Sequence, residues 1–188
     1  DTNEKVSVLG LGTWPLAGRM GAVDRHKAVD LIRSAIDRGI TLVDTAEAYG
    51  DTEELLGQAL ADGYRDRVVL VTKVSRYLSP VGVRRAAERS LRLMKTDVID
   101  LYQVHRFDPN VPVEETVAAI ERLREQGYVR HIGVSNYTAH QLSRAQSVTN
   151  ICTNQINYNA LNRSPEREMI PFCAARGLSL IAHSSLAK

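Results

Sequence analysis

The chain has 188 residues, of which 44% are hydrophobic and 24% charged, and its formal net charge is +2. These values are typical of a globular protein that is long enough for one domain with a large core. The densest basic stretch, residues 84–95, is interleaved with Glu88 and apolar residues, as on the solvated face of a helix. A nucleic-acid-binding stripe is therefore not expected, and we predict no nucleic-acid partner.

The sequence shows no signal peptide and no apolar run of about 18 residues, so we expect a cytoplasmic protein without membrane association. Cys152 and Cys173 lack the spacing of metal ligands, and no other group of His, Cys and carboxylate residues has it. We therefore predict no metal site. Both cysteines are expected to fill the core without forming a disulfide, which favours a reducing compartment.

Strand-like and helix-like runs alternate along the whole chain. In chain order, the predicted strands cover residues 6–11, 40–43, 68–72, 98–104, 129–134, 151–156 and 178–182. The predicted helical segments between them cover residues 24–39, 53–60, 79–94, 113–123, 139–145 and 165–175. Asp24 and Ser79, the latter followed by proline, have the chemistry of helix caps. The predicted helix stops are Gly39, Gly127 and Gly177.

Strands that recur every 25 to 30 residues or so, with helices between them, predict βαβ units and a parallel sheet. A closed barrel of such units has eight strands and typically about 250 residues. We therefore expect a (β/α)8 TIM barrel, in the α/β class, of which residues 1–188 supply about seven strands as one C-terminally incomplete domain. The alternative is an open doubly wound sheet, although no Gly-x-Gly-x-x-Gly follows the first strand.

Four chemically distinct side chains lie at or just beyond the ends of three consecutive predicted strands. They are Asp44, Tyr49, Lys73 and His105. The carboxyl ends of barrel strands meet at one face, where enzymes of this architecture carry out their chemistry. Taken singly, each residue also fits an ordinary packing, turn or surface role. Their shared position favours one active site.

A carbonyl oxygen gains negative charge as hydride adds to its carbon, and a proton donor must then meet it. We predict that Tyr49 is this donor. A free phenol has a pKa of about 10, and a neighbouring Lys73 ammonium is expected to lower it. Asp44 is expected to hold the ammonium in place, and His105 to orient the substrate carbonyl by a hydrogen bond.

Beyond these four residues, longer strings resemble the aldo-keto reductase family. They are Gly-Leu-Gly-Thr-Trp at 10–14, Asp-Thr-Ala-Glu-Ala-Tyr-Gly at 44–50, Glu-Glu-Leu-Leu-Gly at 53–57, Asp-Val-Ile-Asp-Leu-Tyr at 97–102, Gly-Val-Ser-Asn at 133–136 and Asn-Gln-Ile-Asn-Tyr-Asn at 154–159. The resemblance runs from about Val6 to Lys188. It implies a (β/α)8 barrel that binds NADPH, or alternatively NADH, in extended form without a Rossmann fold.

The resemblance also assigns roles to residues. Asp44, Tyr49, Lys73 and His105 correspond to the catalytic tetrad. The cofactor-binding set that it implies is Thr13, Trp14, Asp44, Ser135, Asn136, Gln155, His183, Ser184 and Leu186, and the substrate pocket is Trp14, Tyr49 and His105. Ser135, Asn136 and Gln155 are assigned to the nicotinamide carboxamide. Ser135 and Asn136 also fit a helix cap before Thr138, and Trp14 also fits packing at the barrel end.

Three features depart from the family pattern. His183 stands where an aromatic residue stacks on the nicotinamide, and an imidazole offers less area and can titrate. Ser185 replaces a proline, which predicts a more mobile loop. The loop after Tyr49 is short, because Gly50-Asp51 leads directly into Thr52. The sequence contains no basic and polar string that would hold an adenosine 2′-phosphate. It also lacks the C-terminal substrate loop of the family.

The sequence therefore predicts an oxidoreductase that reduces an aldehyde or ketone to an alcohol by hydride transfer from NAD(P)H, with Tyr49 as proton donor. Its partner is a small-molecule carbonyl substrate. The alternative is a non-catalytic barrel that binds the nicotinamide cofactor as a redox sensor or auxiliary subunit, because such members of the family can retain the tetrad.

Overall fold

The computed structural model describes Thr2 and residues 4–187. Its strands are β1 (Gly10–Gly12), β2 (Leu42–Asp44), β3 (Val69–Val74), β4 (Ile99–Val104), β5 (Val129–Ser135), β6 (Ile151–Asn157) and β7 (Ser179–His183). Its α-helices are α1 (Arg25–Asp37), α2 (Thr52–Ala59), α3 (Pro80–Met94), α4 (Val113–Glu125), α5 (Ala139–Gln146) and α6 (Met169–Ala175). Short 3-10 turns cover Trp14–Ala17, Tyr64–Arg67 and Ser164–Glu166.

The seven strands form one sheet in sequential order from β1 to β7, and every neighbouring pair is parallel. A doubly wound sheet reverses its strand order at a switch point, so that alternative is wrong. The amide of Gln155 on β6 lies 2.8 Å from the carboxylate of Asp44 on β2. In a flat sheet, strands four positions apart would be roughly 19 Å from each other. The sheet therefore curves into a barrel, as the sequence predicts.

Strands β3 to β6 are largely buried on both faces because helices cover the outside of the barrel. On β3, the ammonium of Lys73 binds Asp44 at the barrel mouth, whereas the hydroxyl of Thr72 donates to Glu53 of α2 at 2.7 Å. Successive residues thus point inward and outward, the period of two that a strand imposes. The helices bury matching apolar faces, for example Ala28, Ile32 and Ile36 on α1.

The two predicted helix caps and the three predicted glycine stops are confirmed. The carboxylate of Asp24 accepts hydrogen bonds from the backbone N–H groups of His26 and Lys27, which caps α1. The hydroxyl of Ser79 accepts from Gly82 N, and Pro80 occupies the first helical position of α3. The three predicted stops adopt positive φ, a conformation that costs glycine little: +94° at Gly39, +82° at Gly127 and +66° at Gly177.

The first strand is shorter than predicted, because residues 6–9 lie outside it. Val8 and Leu9 are exposed, so their apolar character does not reflect burial. Ser7 and Thr41 pair through their hydroxyls, since Ser7 N donates to Thr41 Oγ1 at 2.8 Å and Thr41 N to Ser7 Oγ at 2.9 Å. Ladder pairing with β2 begins only at Gly10.

The last predicted helix is divided. A 3-10 turn covers Ser164–Glu166, and α6 begins only at Met169. Proline has no N–H and its ring clashes with the preceding turn, so it is tolerated only near the start of a helix. A helix that began at residue 165 would place Pro171 in its interior, whereas α6 places Pro171 in its first turn.

Cys173 is buried and Cys152 half-buried, and both are free thiols. Within the described residues, no helix is long and apolar enough to cross a membrane. Among the same residues, no group of three or more His, Cys, Asp and Glu side chains is arranged to hold a metal ion.

Candidate active site

The structure brings together the three strand ends that the sequence singled out. The Nζ of Lys73 lies 2.7 Å and 2.6 Å from the two carboxylate oxygens of Asp44, and it also donates to the carbonyl of Thr45 at 2.7 Å. Lys73 is fully buried, and Asp44 is mostly buried. Burial lowers the pKa of Lys73, and the adjacent Asp44 carboxylate opposes that shift. The pair is therefore a fixed charge pair beneath the barrel mouth.

Tyr49 and His105 lie above this pair. Their rings make an edge-to-face contact with centroids 5.6 Å apart, and the Lys73 Nζ lies 5.4 Å from the centroid of the Tyr49 ring. The latter distance is within the range of a cation–π interaction. Across the described chain, neither the Tyr49 hydroxyl nor the His105 Nε2 has a hydrogen-bond partner. These two polar atoms are thus free to meet a ligand.

The prediction that Lys73 lowers the pKa of Tyr49 is wrong for this structure. Burial, followed by the negative charge of Asp44, raises the pKa of Tyr49 to about 12, against an opposing effect of Arg106. The physical reason is the orientation of the ammonium. It donates to Asp44 and Thr45 and not to the phenol. The Asp44 carboxylate therefore largely offsets the effect of the ammonium charge on the Tyr49 hydroxyl.

His105 is neutral over the ordinary pH range. Burial is the largest cause that lowers its pKa to about 4, and the cations Lys73 and Arg106 lower it further against the effect of Asp44. Its Nδ1 lies 2.6 Å from the hydroxyl of Ser75. If Ser75 donates this hydrogen bond, the proton of the neutral ring sits on Nε2, which then points a donor into the site.

Two supporting residues were missed by the sequence analysis. Ser75 follows β3 and bonds His105, and Glu47 accepts hydrogen bonds from the backbone N–H groups of Ser75 (2.5 Å) and Arg76 (3.0 Å). Both residues lie within or next to strings already noted, so their polarity at strand ends was the available signal. Their partners come from different strands, which no local pattern specifies.

The predicted carboxamide-binding residues also converge. Ser135 is the last residue of β5, and its hydroxyl donates to the carbonyl of Gln155 at 2.9 Å. The side-chain amide of Gln155 donates to Asp44 at 2.8 Å, which ties this group to the tetrad. The alternative of a helix cap at Ser135 and Asn136 is wrong, because Thr138 caps α5 in a reciprocal capping box with Gln141.

His183 joins the same group through its ring edge. Asn136 Nδ2 donates to the carbonyl of His105 (3.2 Å) and to Ser135 Oγ (3.0 Å), which leaves its oxygen as an acceptor. The His183 Nε2 lies 2.9 Å from that oxygen and therefore carries the proton, while its Nδ1 accepts from Ser184 at 3.1 Å. Burial, with Lys73 next, lowers the pKa of His183, which agrees with a neutral ring.

The remaining predicted cofactor-binding residues range from fully buried to exposed. Thr13 is fully buried, and its N–H and hydroxyl both donate to the backbone carbonyl of Asp44, at 2.9 Å and 3.1 Å. It therefore holds the backbone that carries the tetrad carboxylate. Trp14 opens the 3-10 turn after β1 and is half-buried. Leu186 is 94% exposed and is not packed into this group.

The donor set fits the carboxamide of a nicotinamide cofactor. A carboxamide needs both donors and acceptors, and Ser135, Asn136 and Gln155 present hydroxyl and amide groups within one hydrogen-bonded cluster. In the described residues the side-chain oxygen of Gln155 has no partner, so this nearly buried residue retains an acceptor. Beside this cluster lie a phenol hydroxyl and an imidazole nitrogen that have no hydrogen-bond partner in the described chain.

Known proteins resemble this chain over most of its length. The model of the Aldo/keto reductase family matches residues 8–188. Aldo-keto reductase YhdN of Bacillus subtilis (strain 168) is 38% identical over 201 residues, and the match covers 100% of this chain and 61% of that protein. The chain thus spans less than two thirds of the length of this curated relative.

Solved structures of aldo-keto reductases also match this chain. The thermostable aldo-keto reductase Tm1743, in complex with epalrestat, matches with a TM-score of 0.90 and 39% identity over 97% of this chain and 70% of that one. An aldo/keto reductase from Klebsiella pneumoniae, in complex with NADP and acetate, matches with a TM-score of 0.88 and 39% identity over 97% of this chain and 65% of that one. A structure of an aldo-keto reductase from the same organism contains NADPH.

Proposed function

This chain belongs to the aldo/keto reductase family, and on that premise we propose that the protein reduces an aldehyde or ketone to an alcohol with NADPH. One observation carries the proposal. The Tyr49 hydroxyl and the His105 Nε2, which lack hydrogen-bond partners in the described chain, lie together above the buried Asp44–Lys73 pair. This arrangement suits a carbonyl oxygen that gains negative charge during the reaction.

In the proposed mechanism, His105 donates a hydrogen bond from Nε2 to the substrate carbonyl and orients it toward Tyr49. The bound cofactor supplies the hydride. Tyr49 donates its proton to the carbonyl oxygen as charge develops there. The Lys73–Asp44 pair fixes the floor of the site, since Lys73 contacts the face of the Tyr49 ring and Asp44 accepts from Gln155.

A phenol with a pKa of about 12 suits reduction. It keeps its proton at neutral pH, and it still transfers that proton favourably to an alkoxide, which is a stronger base than phenolate. In the reverse direction the same group would have to act as a base, and little phenolate is present near pH 7. At neutral pH Tyr49 therefore stays in the protonated form that reduction requires.

The site residues support a nicotinamide cofactor, and the relatives support its phosphorylated form, NADPH. Ser135, Asn136 and Gln155 would hold the carboxamide, and His183 lies hydrogen-bonded to Asn136 beside them. The related Klebsiella pneumoniae structures contain NADP or NADPH. Stacking of His183 on the nicotinamide remains a prediction, and it is compatible with a ring held at its edge.

The first test is a fluorescence titration of the full-length protein with NADPH and with NADH, followed by addition of 4-nitrobenzaldehyde. We expect saturable binding that is tighter for NADPH, and aldehyde-dependent oxidation of the bound cofactor. Tight binding without oxidation would contradict the reductase and favour a redox sensor or auxiliary subunit. Absence of binding by either cofactor would contradict both functions.

The pH dependence gives a second test. Reduction requires protonated Tyr49, with a pKa of about 12, and neutral His105, with a pKa of about 4. The kcat/KM for the aldehyde should therefore be flat from about pH 5 to about pH 10, because both groups keep the required state there. Initial rates across this range provide the measurement. An alkaline decline centred near pH 8, well below the ordinary phenol pKa of about 10, would show that Lys73 controls Tyr49 in the working enzyme.

A further inference from the structure

A cleft of about 650 Å³ lies beside the tetrad, between the loop after β2, the loop after β3 and helix α3. Four arginines line it: Arg19, Arg76, Arg85 and Arg89. Its apolar wall includes the exposed side chains of Tyr77 and Val81. A cleft of this size and lining can hold a small organic molecule with a negatively charged group.

The charges of this cleft are not balanced within the described chain. None of the four arginines forms a salt bridge there, whereas Arg84, adjacent on α3, is paired with Glu88. One carboxylate, Glu47, lines the cleft, and it already accepts the backbone N–H groups of Ser75 and Arg76. The charge of Arg89 also opposes the rise that burial causes in the pKa of Glu53. Positive charge remains in excess.

Clustered arginines repel one another weakly, and a bound anion would relieve this repulsion. Arg85 and Arg89 are four residues apart on one helix, where like charges repel. The guanidinium group stays charged at all relevant pH values and matches carboxylate and phosphate oxygens with two parallel donors. The amino end of the 15-residue helix α3 opens at the same cleft and adds to the positive potential.

The walls of the cleft are held in place by packing. Gly82 of α3 lies against the loop after β3, because a Cβ on it would come within 2.3 Å of the carbonyl oxygen of Tyr77. The loop that carries Arg76 is therefore packed directly on the helix that carries Arg85 and Arg89. The backbone segments that carry these arginines are therefore fixed relative to one another.

The cleft adjoins the reacting groups. Ala48 and Gly50, on either side of Tyr49, both line it. Glu47 in the cleft binds the N–H of Ser75, whose hydroxyl contacts His105. The residues assigned to the nicotinamide lie instead at the ends of β5, β6 and β7. A molecule anchored in the cleft would therefore extend toward Tyr49 from the side formed by the loops after β2 and β3.

We propose that this arginine cleft binds the anionic group of the carbonyl substrate, so that the preferred substrates are aldehydes or ketones that carry a carboxylate or a phosphate. This inference rests on the proposed reductase function. Arg76, Arg85 and Arg89 bind the anion, and the apolar wall formed by Tyr77 and Val81 contacts the carbon skeleton between the anion and the carbonyl.

The test compares two matched pairs of substrates on the full-length protein with NADPH. One pair is 4-carboxybenzaldehyde and its neutral analogue methyl 4-formylbenzoate; the other is glyceraldehyde 3-phosphate and glyceraldehyde. We expect a higher kcat/KM for the anionic member of at least one pair. In the double variant Arg85→Gln/Arg89→Gln, the anionic-to-neutral ratio should fall about tenfold or more, as expected for loss of charge-assisted hydrogen bonds.

The matched control is Arg92→Gln/Arg122→Gln, which removes the same two charges from exposed positions outside the cleft. It should leave the anionic-to-neutral ratio unchanged. An equal fall in the control would mean that net charge, and not the cleft, selects the substrate. A ratio near one in the unmodified protein, or one that is insensitive to Arg85 and Arg89, would overturn the proposal while the reductase function stands.

Two further arms separate the remaining outcomes. If the Arg85→Gln/Arg89→Gln variant weakens NADPH binding tenfold without changing the substrate ratio, the cleft holds a phosphate of the cofactor and the proposal is wrong. Calorimetric titration with terephthalate, a dicarboxylate probe, measures the cleft without turnover. If no aldehyde is reduced but terephthalate binds and this binding requires Arg85 and Arg89, the anion site stands and the reductase function fails.

Discussion

Replacing Tyr49 with phenylalanine should lower kcat/KM for aldehyde reduction by about 10²- to 10⁴-fold, the usual contribution of a positioned general acid. The substitution removes one hydroxyl and keeps the ring. The edge-to-face contact with His105 and the contact of the Lys73 ammonium with the ring face are therefore preserved. The measurement is steady-state reduction of 4-nitrobenzaldehyde, together with the Kd of NADPH from fluorescence.

The Kd of NADPH should stay close to that of the unmodified protein, because the residues assigned to the nicotinamide lie on β5, β6 and β7. Tyr102→Phe is a suitable control. The Tyr102 hydroxyl is fully buried and has no hydrogen-bond partner in the described chain, so its removal should be neutral or slightly stabilising. Near-normal turnover by Tyr49→Phe would remove Tyr49 from the mechanism and require another proton donor.

Replacing Lys73 with methionine should damage both catalysis and stability. The Lys73 side chain is fully buried, and its ammonium binds both Asp44 oxygens and the Thr45 carbonyl. Methionine fills a similar volume but leaves the Asp44 carboxylate buried and without its cation. Breaking a buried ion pair in this way costs about 3 to 5 kcal/mol of unfolding free energy. Urea denaturation of the full-length protein measures this loss, and NADPH oxidation measures the expected loss of turnover.

The double variant Asp44→Asn/Lys73→Met separates the two effects. Asparagine removes the uncompensated charge and keeps an oxygen that accepts from Gln155, so much of the lost unfolding free energy should return. Turnover should remain low, because the Lys73–Asp44 pair that fixes the floor of the site is still absent. If the double variant is no more stable than Lys73→Met, the pair is not the source of the instability. If it regains full turnover, the ammonium has no part in catalysis.

Much of the local structure follows from the sequence, because short-range chemistry determines it. Asp24 and Ser79 cap helices through backbone groups two or three residues away, and glycine permits the positive φ that ends α1 and α4. The alternation of strands and helices predicts the sequential parallel sheet. Where the sequence prediction is wrong, a specific competing effect is visible. At residues 6–9 a hydroxyl pairing replaces the strand, and at Pro171 the missing N–H delays the start of α6.

The members of the candidate site were also accessible from the sequence, through their positions at strand ends and the resemblance to a family. The pKa values of these residues were not accessible from the sequence. The prediction that Lys73 lowers the pKa of Tyr49 assumed only that the two are close. The structure shows that the ammonium is directed at Asp44 and Thr45, so burial and Asp44 raise that pKa to about 12.

The sequence by itself determined the order of the elements, the ends of most helices and the four residues proposed as the tetrad. Only the tertiary structure decided the protonation of Tyr49 and His105, the support that Ser75 and Glu47 give to the site, and the assembly of four arginines into one cleft. The physical reason is the separation along the chain of the groups that interact. Caps and turns depend on neighbours a few residues away, whereas desolvation, ion pairing and shared clefts depend on groups that the fold brings together from distant strands and loops.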